Sequence, residues 1–185
     1  MTLALTYHPA LSRTDLLAPP VAAALRALPW ADQVRVAAID PALSDTAQFC
    51  DAYGITLEES VNCVVIAAKR GGEVSYAACM VAATTRANVN GLVRQHLGAR
   101  KASFGAVDVV TSLTGMEYGG ITPVGLPADW RILVDDLVAK TPGVVIGAGI
   151  RGAKLWLPGS LLPELPGAEI LPGLGVEAGQ AGQAG

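Results

Sequence analysis

Two apolar runs dominate the middle of the chain, Val61-Asn62-Cys63-Val64-Val65-Ile66-Ala67-Ala68 and a second over 74–83, separated by Lys69-Arg70-Gly71-Gly72-Glu73. Both are rich in β-branched and small apolar residues, and the polar, glycine-containing break between them predicts a hairpin. Their near-continuous apolar character places the pair centrally in a sheet covered on both faces. Alternation then puts Asn62, Val64, Ile66 and Ala68 on one side of the first strand. Upstream, residues 2–20 read as an extended lead-in. A helix is expected over 21–28, bounded by Pro19-Pro20 and Pro29. A weaker alternation predicts a strand over 33–39, and Ser44 is positioned to cap a helix running to Tyr53, with Gly54 as its stop. Downstream, Asn88 predicts a helix to Leu97 closed by Gly98, and a further helix is expected over 104–113 before Gly115. Strands are expected over 131–134, 144–146 and 154–157, a short helix over 136–140 and a helical turn over 160–165. From Leu171 the glycine-rich sequence lacks apolar periodicity and reads as a disordered tail.

With 185 residues, the chain has room for one domain with short additions. Hydrophobic residues make up 51% of it, yet the longest apolar runs fall well short of the roughly 20 residues of a membrane-spanning helix. The net charge of −3 argues against a broad basic surface for duplex binding. Locally, Arg86, Arg94, His96, Arg100 and Lys101 gather positive charge in a stretch without carboxylates, which suits either a solvated helix face or phosphate contacts. Cys50, Cys63 and Cys79 sit in apolar or mixed runs and read as reduced core thiols, consistent with an expected cytoplasmic location. No closely spaced group of metal-ligating side chains stands out, and neither histidine pairs with a serine or cysteine in a nucleophile pattern, so no metal or cofactor is expected.

Candidate chemistry concentrates in two loops. Thr114-Gly-Met-Glu-Tyr-Gly119-Gly120-Ile121-Thr122-Pro123-Val-Gly125 allows close backbone approach and lacks the Lys-Ser/Thr ending of a phosphate loop. It is either a structural turn or a loop presenting N–H groups to a carboxyl, ester or phosphate oxygen. Gly147, Ala148, Gly149, Ile150, Arg151 and Gly152 follow a strand without the helix a dinucleotide site needs, leaving a ligand-side backbone nest or a tight connection. Asp135 and Asp136 follow a strand and either orient a ligand or start a helix.

The order of these segments, SVNCVVIAA, RANVNGLVRQHLGARKA, TGMEYGGITPVG, ILVDD and VVIGAGIRG, resembles the YbaK-like family, which includes the editing domain associated with prolyl-tRNA synthetase and free-standing aminoacyl-tRNA deacylases. The resemblance implies an α/β (mixed α+β) fold with flanking helices around a strongly bent, partly barrel-like mixed sheet. It implies a lead-in and helix over 1–43, an editing-type domain over 44–170, and a tail over 171–185. The implied activity is hydrolysis of the ester of mischarged tRNA by substrate-assisted water attack, with the aminoacylated 3′ end as partner and no DNA or membrane. The alternative is a weakened or inactive module of the same fold that binds an aminoacylated end or a small ligand. Carried over by position, the implied catalytic group comprises Asn62, Gly119, Gly120, Pro123 and Asp135. Ile121, Thr122, Gly147, Ala148, Gly149, Arg151 and Gly152 border the pocket, and Arg94, Arg100 and Lys101 are the implied tRNA contacts. Many editing members carry a functional lysine where this chain has Asn62. Lys69, seven positions further on, falls on the opposite face of a regular strand.

Overall fold

The computed structural model describes residues 2–177. In chain order its elements are β1 (His8–Pro9), α1 (Pro19–Ala27), β2 (Arg35–Ala38), α2 (Thr46–Tyr53), β3 (Val61–Arg70), β4 (Glu73–Ala82), β5 (Thr85–Ala87), α3 (Arg94–His96), β6 (Lys101–Phe104), α4 (Val107–Thr114), β7 (Arg131–Val134), α5 (Asp136–Lys140), β8 (Val144–Gly147), β9 (Ala153–Leu157), β10 (Ala168–Ile170) and β11 (Gly175–Glu177). The long β3–β4 hairpin is the centre of a five-stranded sheet of order β10-β7-β4-β3-β6, in which β7 runs parallel to both β4 and β10. A second sheet has the order β1-β2-β9-β8, and β11 pairs with β5 in a two-stranded ribbon.

The hairpin is apolar throughout its middle because both faces of its sheet are covered. Ala78 and Met80 of β4, with Ile132 and Val134 of β7, pack in the main core against α1 (Val21, Leu25) and the second sheet (Val36, Ile146, Leu155). The alternate residues Ala77, Cys79 and Val81, with Leu133, face a separate cluster that includes Val93, Leu171 and Leu174. Val64 and Ile66 of β3 belong to this second side, sharing a face as alternation requires.

The expectation of a strongly bent, partly barrel-like sheet is overturned. The fold is α+β with mixed sheets and flanking helices, and its sheets are open. A barrel needs an unbroken ladder of hydrogen bonds around its circumference. Here the two large sheets touch through the single parallel bridge Ser60–Val145, so each keeps its own edges and side chains fill the space between them.

Local differences have equally local causes. Phe104 ends an edge strand paired to β3 instead of opening a helix, and α4 begins after Gly105-Ala106. Asn88 does cap, accepting from the Gly91 N–H at 3.2 Å, but the first turn it starts is π-helical. Gly54, Gly98 and Gly115 adopt positive φ at the three predicted helix stops. Residues 171–177 are packed: Leu174 is 0% exposed, and β11 is antiparallel to β5. Two leucines separated by a turn supply the apolar surface that composition alone conceals. Residues 178–185 of the expected tail lie outside the described residues.

Leu174→Ala is expected to lower unfolding free energy by about 2–5 kcal/mol, the usual cost of emptying a fully buried leucine site. Denaturant unfolding measures it; a loss under about 1 kcal/mol would mean that the 171–177 segment does not contribute to the fold.

Candidate active site

The two glycine loops meet backbone to backbone. The Gly149 N–H donates to the Gly120 carbonyl at 2.7 Å, and the Glu117 N–H donates to the Gly149 carbonyl at 2.9 Å. A Cβ on Gly147 would lie 2.4 Å from the Gly120 oxygen, and one on Gly120 would lie 2.5 Å from the Ile150 carbonyl carbon, so both positions exclude any side chain. Arg151 ties the loops further. Its N–H donates to the Glu117 carboxylate at 2.7 Å, and its guanidinium reaches the Tyr118 carbonyl at 3.2 Å.

Beside this junction lies an open cavity of about 440 Å³. Its lining includes Gly119, Ile121 and Gly147 of the two loops, β3 from Val61 to Val65, and Phe104, Val107 and Val110. Asn62 is therefore in the cavity. The Thr46 hydroxyl at the start of α2 donates to Asn62 Oδ1 at 2.8 Å, which fixes the amide and leaves its NH₂ group as a donor for a ligand. Gly119, with φ of 86°, lies where a Cβ would meet the Arg151 guanidinium at 2.6 Å.

Of the residues singled out from sequence, Asn62, Gly119, Ile121 and Gly147 line the cavity. Gly120, Thr122, Pro123, Ala148, Gly149, Arg151 and Gly152 are outside its lining, and of these Gly120, Gly149 and Arg151 hold the two loops together. Asp135 is elsewhere. It is 3% exposed, caps α5 by accepting from the Leu137 N–H at 2.9 Å, and also accepts from the Gly175 N–H at 2.5 Å, clasping the C-terminal segment. Arg100 and Lys101 lie at the hairpin end of the five-stranded sheet, where the Arg100 N–H donates to the Lys69 carbonyl and Lys101 pairs with Lys69. Lys101 is three residues from Phe104 at the cavity, a reach of roughly 10 Å along the strand. The Arg94 Nε donates to the Asn90 carbonyl at 2.8 Å within its own helical turn. His96 joins Arg131 and Glu169 in a surface cluster.

Four lining side chains had no site role in the sequence reading. Lys154 of β9 projects into the cavity from an otherwise apolar alternation, Ala153-Lys154-Leu155-Trp156-Leu157; a lone lysine in such a strand was the available signal. Its ammonium donates to the Ser44 carbonyl at 3.2 Å and stands 5.1 Å from the Phe49 ring centroid. Ser44 was expected as a helix cap, but Asp45 occupies the N-cap position; Ser44 is 3% exposed and its Oγ has no hydrogen-bond partner. Tyr118 and Phe104 form an aromatic rim, 61% and 71% exposed.

Burial lowers the Lys154 pKa, outweighing the attraction of Asp45, while Arg151 lowers it further. Burial likewise pushes the Cys63 thiol up, so this lining cysteine is a protonated, unreactive thiol at neutral pH. Among the described residues, no group of three or more His, Cys, Asp or Glu side chains is arranged to hold a metal ion.

A model of the aminoacyl-tRNA editing domain matches residues 40–165. The chain belongs to the aminoacyl-tRNA editing domain family. The match bears out the resemblance of the sequence to the YbaK-like family. A candidate trans-editing enzyme for prolyl-tRNA synthetase superposes with a TM-score of 0.70 at 22% identity, covering 84% of this chain and 94% of that one. The hypothetical protein APE2540 gives 0.68 at 22%, covering 77% and 91%, and a scaffold protein used for epitope grafting gives 0.71 at 21%, covering 84% and 95%. At these identities the likeness establishes the fold. No curated protein matches the sequence.

The lowered Lys154 pKa has a signed consequence for stability. Between the folded-state value and the ordinary lysine value of 10.5, the unfolded chain holds more protons, so this group's contribution to stability rises with pH. Below both values the cost of burying the charge is fully present. Lys154→Met is therefore expected to melt above the wild type at pH 7, with the gap narrowing as pH rises towards 10; a variant melting lower at pH 7 would contradict the burial cost.

Proposed function

We propose that the cavity accepts the aminoacylated 3′ end of a mischarged tRNA and hydrolyses its ester. Support comes chiefly from one arrangement in a member of the editing family: a cavity of about 440 Å³ lined by both the Gly119 loop and the oriented Asn62 amide. That volume suits an acyl group and its ribose. Asn62 donates its N–H₂ to the ester carbonyl, a neutral contact where many members place a lysine. Asp45, lining the rim, faces the substrate's ammonium group. Phe104 and Tyr118 offer free ring faces on which the terminal adenine stacks. The acceptor-stem phosphates then follow β6 towards Arg100 and Lys101, with Arg94 nearby.

The reaction uses no protein nucleophile. A water held in the cavity attacks the ester carbon, the neighbouring hydroxyl of the terminal ribose assists proton transfer, and the released ribose oxygen takes up a proton. Donors at the carbonyl oxygen stabilise the tetrahedral intermediate. So written, the chemistry needs no metal or bound cofactor, and the proposed role is that of a cytoplasmic hydrolase serving translation fidelity.

A second reading, a binding module that has lost turnover, is favoured by the Asn62 replacement alone. A panel of mischarged tRNAs assayed with a chelator present separates the two. We expect deacylation of at least one above the spontaneous rate, and a loss of roughly 100- to 1,000-fold for Asn62→Ala, the range for removing one donor from a developing oxyanion. Binding of a non-hydrolysable aminoacyl-adenosine without turnover on any tRNA would support the binding module, and failure of both would leave only the fold.

A further inference from the structure

Lys154 is the cation inside the cavity, and its surroundings leave it underused. An ammonium has three donors, and within the protein Lys154 directs one to the Ser44 carbonyl. Asp45 is the carboxylate that attracts it through space, but that side chain is largely exposed and sits 4.0 Å from the Arg151 guanidinium instead. Beside Lys154, the buried Ser44 Oγ also lacks a partner. A hydroxyl buried without a hydrogen bond costs stability, as does a desolvated cation without an anion. Both groups line the same cavity, so a ligand oxygen bearing negative charge relieves both at once.

We infer that Lys154 and Ser44 form an anionic-oxygen site within the cavity, holding a phosphate or carboxylate oxygen of the bound ligand. The geometry accounts for Gly119 as well. A Cβ there would lie 2.6 Å from the Arg151 guanidinium and 3.4 Å from Ser44 Oγ, so the glycine lets Arg151 pack close beside the buried hydroxyl. Two ligand features supply such an oxygen: the phosphate of the terminal nucleotide and a carboxylate on the acyl group. The site rests on the cavity being the ligand pocket proposed above, but not on hydrolysis taking place there.

The test uses the full chain and non-hydrolysable 3′-amide analogues of adenosine bearing alanyl or aspartyl groups, each with and without a 5′-phosphate, titrated by calorimetry. The wild type is expected to bind at least one anionic analogue tenfold or more tighter than neutral alanyl-adenosine. Preference for the 5′-phosphate identifies the nucleotide as the source, and preference for aspartyl identifies the acyl group. Lys154→Met and Lys154→Gln should each reduce the preference, taken as the ratio of anionic to neutral affinity within the same variant, to within about twofold, and Ser44→Ala should reduce it by roughly 2- to 10-fold, the worth of one hydrogen bond. No anionic preference in the wild type, a preference surviving both Lys154 variants, or no binding of any analogue would overturn the site. Deacylation measured alongside keeps the two claims apart: turnover without anionic preference defeats this site and leaves the hydrolase, whereas anionic preference without turnover does the reverse.

Discussion

Gly120 and Gly147 approach so closely that a Cβ on Gly147 would lie 2.4 Å from the Gly120 oxygen, and the cavity wall is built on that contact. Without a side chain at either position, the loop after α4 and the turn after β8 dock through the Gly149-to-Gly120 hydrogen bond. Three consequences follow from the docking. Gly119 is brought to the cavity surface, Arg151 is positioned to brace Tyr118, and β9 leaves the second loop so that Lys154 enters the cavity. The junction is rigid for an elementary reason: its partners are main-chain atoms, which have no rotamers through which to retreat.

The distribution of charge follows from the same frame. Asn62 brings a neutral donor to the β3 side of the cavity, while Lys154 brings a cation from β9. The two residues are far apart in sequence and belong to different sheets, yet they face one space. The cavity therefore holds a cation beside the neutral Asn62 amide, with the Asp45 carboxylate also in its lining. Thr46 contributes by holding the carbonyl end of that amide, which directs the remaining donors towards whatever enters.

Much of the fold was legible because its strongest signals are local. The β3–β4 hairpin, the glycines at the ends of α2 and α4, and the proline-bounded α1 each follow from a short stretch of chain. Residues whose role is set by distant partners were only partly legible. Asp135 starts a helix, one of the two readings its position after a strand allowed, but its second oxygen finds Gly175 forty positions later, a contact visible only once the C-terminal segment has docked. Leu174 looks like part of a flexible tail until Val93 and Leu133 supply its pocket. Openness of the sheets is likewise a long-range property, decided by the pairing of β8 with β9 and by its single bridge towards β3. In the site, the glycine loops and Asn62 could be named from motif order, whereas Ser44 and Lys154 carry no motif and become recognisable through their convergence on one cavity.

A crystal structure of the protein with a non-hydrolysable 3′-alanyl-adenosine analogue is the most direct test of the proposed seat of the acyl group beside Asn62 and the Gly119 loop. The acyl group is expected in the cavity between Gly119 and β3, with its carbonyl oxygen within hydrogen-bond distance of the Asn62 amide and the adenine against Phe104 or Tyr118. An analogue bound elsewhere, with this cavity empty or filled only by water, would contradict it.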